Sequence, residues 1–191
     1  MYRPLRLVAL LLALAWIAAS TGVAAASARQ PDCRIRWGSL PEKHLVSSYT
    51  TATIENLRAG RHLCFDRLVV DLGPTQAGVP ARQGLGYQIR YVAEARNAAG
   101  DPLPMKGAAV LAVAVNAAAH DGDYRPTYQP RDRDNAVNVT GFRTLRQVAF
   151  LGTFEAQTEL VIGVRARLPF RAFVISGATG SRLVIDVAHR W

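Results

Sequence analysis

The sequence predicts an all-β fold, an antiparallel β-sandwich of about eight strands behind an irregular N-terminal lead-in. Three observations carry that prediction. Short segments of period-two alternation recur from Thr50 onward. Fifteen glycines and ten prolines punctuate them, a density hostile to long helices. No glycine-rich phosphate loop joins a strand to a helix, which argues against a doubly wound nucleotide fold. The 191 residues make one domain of ordinary size. Half of them are hydrophobic and 19% charged, so neither a disordered tail nor a coiled coil fits.

Residues 1–28 read as an export signal. Arg3 and Arg6 form a charged start, Leu7 to Ala19 is almost continuously apolar, and Ala26-Ser27-Ala28 supplies small residues for cleavage. The apolar run is shorter than the roughly 20 residues a membrane-spanning helix needs. An uncleaved signal anchor is the alternative, and it is the only membrane association expected. A lipid anchor needs a cysteine directly after the apolar run, whereas the first cysteine is Cys33 in a Gln-Pro-Asp context. The mature chain is expected to begin near Arg29 and to remain basic. An exported domain with two cysteines is expected to pair them. Cys33 and Cys64 would close a loop of about 30 residues, adding roughly 3–4 kcal/mol in the chain-entropy model. The catalytic alternative is a nucleophilic Cys64 helped by His62. The two flank Leu63 and would face opposite sides of a strand, a poor geometry for proton transfer.

Residues 29–48 hold Trp37, Gly38 and Pro41 with little periodicity, so they read as the lead-in; residues 49–191 read as the sandwich. Thr53 to Leu57 is a short strand. Cys64 to Leu72 alternates Leu68, Val70 and Leu72 against Arg67, Val69 and Asp71. Gly73 to Gly86 is a long loop by its Gly and Pro content. Tyr87 to Ala93 alternates again. Ala108 to Ala119 is apolar almost throughout, as in a strand buried on both faces, though its alanines would also suit a helix. His120 to Asn135 is a polar loop. Thr144 to Phe154, Glu159 to Arg167, Phe170 to Ile175 and Leu183 to His189 complete the set.

One hexapeptide recurs. Arg67-Leu68-Val69-Val70-Asp71-Leu72 returns as Arg182-Leu183-Val184-Ile185-Asp186-Val187. On neighbouring strands the arginines and aspartates can build a cross-strand charge ladder. The plainer alternative is two ordinary amphipathic strands.

Several chemistries lack their signatures. There is no G-x-S-x-G elbow and no H-E-x-x-H. His44, His62, His120 and His189 are scattered without ligand spacing, and a hydrogen-bonding role suits His189. Asp121 and Asp123 are weak metal candidates, because Arg125, Arg131 and Arg133 are interleaved among the acids and repel a cation. Glu155 and Glu159 are a conceivable acid–base pair for a hydrolase, with Asp66 as a further carboxylate. On one continuous strand they would stand about 13 Å apart, beyond the roughly 5–9.5 Å such mechanisms use. No cofactor is expected.

Charge is the strongest positive feature. Lys+Arg number 23 against 14 Asp+Glu, a formal net charge of +9. Only Lys43 and Lys106 are lysines, so the excess is guanidinium. Arg165 and Arg167 would point the same way on a strand, followed by Phe170 and Arg171, with Arg143 and Arg146 upstream. Guanidinium forks match carboxylates and phosphates bidentately. These six residues are the candidate binding set. Solubility and surface pairing is the alternative role for such charge. Export disfavours nucleic acid and favours wall or lipid polyanions as partners.

A family resemblance rests on segments spread along the chain. They are Gly60 to Leu72, Gly86 to Val92, Arg125-Pro126-Thr127-Tyr128, Gly141-Phe142-Arg143-Thr144, Gly163 to Ala166, Leu168 to Arg171 and Arg182 to His189. In order and spacing they resemble the AMIN-like domain of secreted actinobacterial proteins, over roughly Trp37 to Trp191. The resemblance implies a β-sandwich related to the AMIN domain, which accompanies cell-wall amidases and secretins and is associated with placing them at the envelope. It brings no established catalytic residues. Many members are lipoproteins, and the missing lipobox here departs from that pattern. The expected function is a non-catalytic, secreted or cell-wall-associated module that binds an anionic wall polymer or envelope protein through a basic surface. The alternatives are a small secreted hydrolase using Glu155 and Glu159, and a protein-binding module that pairs through a sheet edge.

Overall fold

A computed structural model describes residues 33–46, 50–74, 84–177 and 179–191. The export signal, the start of the lead-in and most of the Gly73–Gly86 loop lie outside the described residues. The domain contains β1 (Glu42–His44), β2 (Ile54–Arg61), β3 (Phe65–Leu72), β4 (Tyr87–Val92), β5 (Ala95–Arg96), β6 (Pro102–Leu103), β7 (Ala109–Val115), β8 (Leu145–Phe154), β9 (Gln157–Val164), β10 (Phe170–Gly177) and β11 (Gly180–Ala188). Two antiparallel sheets form, one in the order β1-β4-β7-β9-β8 and the other β10-β11-β3-β2; β5 and β6 make a separate ribbon.

Alternation builds the core. Leu111, Ile162 and Val148 point inward from the first sheet, and Leu68, Leu183 and Ile185 from the second, all at 0% exposure. The expectation that Ala108 to Ala119 is buried on both faces needs correction. In β7 the inward Leu111, Val113 and Val115 are buried, but Val110, Ala112 and Ala114 on the outer side are half-buried. Short alanine side chains leave that surface low, and the β5–β6 ribbon covers only part of it. The ribbon brings Ala95, Leu103 and Met105 over Ala149, Val161 and Leu151, a second small apolar cluster.

The sequence reading placed eight strands, and each has its counterpart with shifted ends. The structure adds β1, β5 and β6, which are too short to show a period. Glu155 does not lie on a strand. Glu155 and Ala156 form the two-residue turn between β8 and β9, both at positive φ, 47° and 61°, as a type I′ hairpin turn requires.

Two of the four edges of the main sheets, at β8 and β10, meet other parts of the chain. Beside β8, the Phe150 N–H donates to the Arg133 carbonyl at 2.7 Å and the Ala136 N–H to the Val148 carbonyl at 2.8 Å. Beside β10, the Phe170 N–H donates to the Gly38 carbonyl at 2.8 Å. The Ala172 N–H donates to Glu42 Oε2 at 2.7 Å. Burial pushes the Glu42 carboxyl upward, against the Ala172 hydrogen bond and Arg171, which pull it down. Cys33 and Cys64 form a disulfide with Cα atoms 5.4 Å apart, as the sequence predicts, tying the lead-in to the turn before β3.

Candidate functional site

The repeated hexapeptide organises the outer face of the second sheet. β3 and β11 are antiparallel neighbours, with Arg67 opposite Asp186 and Asp71 opposite Arg182. A motif that reads Arg-x-Val-x-Asp on one face is complementary to itself when its copy runs the other way. The charge ladder therefore follows from the register.

Each carboxylate collects two arginines. Arg67 clasps Asp186 bidentately, Nε to Oδ1 at 2.6 Å and Nη2 to Oδ2 at 2.9 Å. Arg171 reaches the same group from β10, with Nε 3.0 Å and Nη2 2.9 Å from Oδ2. Arg58 grips Asp71 from β2 at 2.7 and 3.1 Å, and Arg182 Nε stands 3.5 Å from Asp71 Oδ1. Four guanidiniums thus share two carboxylates, which leaves two positive charges on the face. The two centres differ in depth: Asp186 is fully buried, whereas the Asp71 side chain keeps 23% of its exposure. Hydrogen bonds to the aspartates push the Arg67 and Arg58 guanidiniums further up from an already high value.

Aromatic rings wall the deeper centre. Arg171 Cζ lies 4.3 Å from the centre of the Trp37 ring and 5.1 Å from that of Phe173. Arg67 Cζ lies 5.2 Å from Phe65 and 5.7 Å from Phe173. Trp37 meets Phe65 edge-on at 5.6 Å, and His62 stacks on Phe65 at 4.5 Å. Cation–π contact holds both guanidiniums flat against apolar rings. The long arginine stems also cover Val69 and Val184 of this outer face, which are 4% and 1% exposed.

The predicted binding set is divided by the fold. Only Arg171 reaches this face. β9 ends at Val164, so Arg165 and Arg167 lie in a bend instead of on a strand. Arg165 donates to the carbonyls of Arg143 and His189 at 3.2 and 2.7 Å. Arg146 donates to the Phe142 carbonyl at 2.6 Å. Arg167 binds Ser39 and lies over the Tyr91 ring. Phe170 is 1% exposed and belongs to the core, where it meets Tyr91 edge-on. The sequence-predicted set lacks Arg58, Arg67 and Arg182, although Arg67 and Arg182 each open a copy of the repeated hexapeptide.

The other candidate acids are placed as follows. Asp66 is fully buried and accepts from the N–H groups of Thr144 and Leu145 at 2.5 and 3.2 Å. His189 Nε2 stands 3.0 Å from Asp66 Oδ1, the hydrogen-bonding role the sequence suggested. Asp121 and Asp123 both pair with Arg125, at 3.6 and 2.9 Å. Among the described residues no three His, Cys, Asp or Glu side chains gather as a metal site. Glu159 projects from β9 opposite Gly152, three residues beyond the turn that carries Glu155.

A family model described as the AMIN-like domain matches residues 52–189. Neither the curated proteins nor the solved structures contain a match.

Proposed function

Because the chain belongs to the AMIN-like domain family, whose domains point to a non-catalytic, envelope-related role, we propose that it is an exported binding module. It holds an anionic cell-wall polymer, or an envelope partner of the same charge, on the outer face of the second sheet. One observation carries this reading: Arg58, Arg67, Arg171 and Arg182 outnumber the carboxylates they share by two to one. The surplus is held rigid by ion pairs and rings, so little side-chain entropy remains to be lost when a phosphate or carboxylate binds.

The disulfide suits an oxidising compartment and so supports export. The hydrolase alternative is weakened because Asp66 is spent on two backbone N–H groups and His189. The edge-pairing alternative is weakened because backbone or side-chain groups already meet the edges at β8 and β10.

Co-sedimentation with purified cell wall over a salt series tests the proposal. Retention at low ionic strength that falls as salt screens the charges is the expected result. An R58A/R182A double variant, which changes only exposed side chains, should be retained more weakly. Absence of retention at the lowest salt overturns the reading.

A further inference from the structure

The outer face of the first sheet carries a different kind of surface. Where the β5–β6 ribbon stops, Ala112 and Ala114 of β7 floor an open trough of about 410 Å³, with Gln88 and Arg90 on its β4 side. At Leu151, Gln157 and Glu159 the trough meets a larger cleft of about 760 Å³. Both volumes fall within the roughly 300–1,000 Å³ that ligand clefts occupy.

Two highly exposed aromatic rings stand at the larger cleft. Tyr124 is 80% exposed and Phe154 77% exposed, the two most exposed large apolar side chains in the described residues. His120 stacks on Tyr124 at 4.9 Å and steadies it. Tyr124 adopts φ 60°, a left-handed conformation that is costly for a bulky side chain and is retained where the surroundings impose it. Deeper in the cleft, Tyr128 meets Phe150 edge-on at 5.4 Å.

The charge of this surface is nearly balanced. Arg96 is taken up by Glu94 and the Gly100 carbonyl. Arg133 is taken up by the Phe150 and Leu151 carbonyls. Those carbonyls leave the Arg133 charge in place, so Arg90, Arg96 and Arg133 stand against Glu94 and Glu159, a surplus of one, with the Gln157 amide 3.4 Å from Glu159 Oε1. A polyanion gains little here, in contrast to the second sheet. Exposed rings, planar amides and a near balance of charge fit a chain of pyranose rings: C–H faces stack on the aromatics and hydroxyls exchange hydrogen bonds with the amides.

We infer that the trough and cleft on the first sheet form a binding site for a neutral polysaccharide segment, with Phe154 and Tyr124 as its stacking platforms. The site is separate from the arginine face and does not depend on the reading given to it.

Calorimetric titration of the full mature chain with cellotetraose and with chitotetraose tests the inference. At least one should bind saturably, with little change between low and high salt. F154A and Y124A should each weaken binding by about tenfold, the loss of one stacking contact. Both side chains are exposed, and a thermal melt superposing on the parent's verifies the fold. R58A/R182A should bind the sugar as the parent does. Failure of both tetrasaccharides to bind at millimolar concentration overturns the inference, as does binding that F154A and Y124A leave unchanged. Loss of sugar binding in R58A/R182A also overturns it, while wall retention in the salt series reports on the arginine face alone.

Discussion

The outer faces of the two sheets cover themselves by opposite means. On the second sheet the covering is side chain: arginine stems lie across Val69 and Val184, and their heads are fixed on Asp71 and Asp186. On the first sheet the covering is backbone: the β5–β6 ribbon and the segment through Lys106 lie over Ala149, Val161 and Gly163. Long side chains cover a face evenly and leave charge on top. A strip of backbone covers part of a face completely and leaves the remainder open. One sandwich thereby presents a charged plateau on one side and a trough on the other.

The comparison can be broken at its strongest point first. D186A removes the carboxylate that two arginines share. Arg67 and Arg171 keep 24% and 41% of their side-chain exposure, so both can turn to water. The expected loss is therefore at the low end for a buried pair, about 3 kcal/mol in denaturant unfolding. G163A strikes the other face. A Cβ there would collide with the Lys106 carbonyl oxygen, and Gln147, which holds the Lys106 N–H at 2.8 Å, resists the shift. Overpacking of this kind should cost about 2 kcal/mol by the same measurement. A smaller loss than in D71A would show that the backbone cover is loose.

D71A sharpens the contrast within the arginine face. Its centre is partly solvated, so the loss should stay below about 1 kcal/mol. Equal losses in D71A and D186A would show that depth does not separate the two centres. The smallest effect sits where the sheets meet, at Glu42. Its folded-state carboxyl is raised above the ordinary 4.5. The folded chain therefore binds more protons than the unfolded one just above that pH, and stability falls as pH rises through this window. E42Q keeps an acceptor for the Ala172 N–H and should abolish that slope in unfolding measured from pH 4 to 7.

Much of the fold was legible because alternation is a strong signal where one side of a strand is buried. Leu68, Val70 and Leu72 announce β3 without help. β1, β5 and β6 span two or three residues, and no period fits into so few. The charge ladder was legible from the hexapeptide pair, since only an antiparallel register was needed to complete it. The binding set was less legible. Arg165 and Arg167 look aligned if β9 continues, but the strand stops at Val164 and both side chains turn to backbone carbonyls and Ser39. Phe170 sits among arginines in sequence yet points into the core. Trp37 joins the arginine face across more than a hundred residues, a meeting no local pattern announces. The trough has no sequence signal because its floor is alanine, which reads as buried core in a sequence and marks open space here.

The bond between Cys33 and Cys64 reaches further than stability. It anchors the strip of chain on which Trp37 lies against Arg171, four residues past the sulfur. Further along the strip, the Gly38 carbonyl, Ser39 and the contact of Trp37 with Phe65 hold it to the domain. Oxidation of two thiols thus reaches the edge of the charged plateau, because one covalent link and one indole lie on the same short strip.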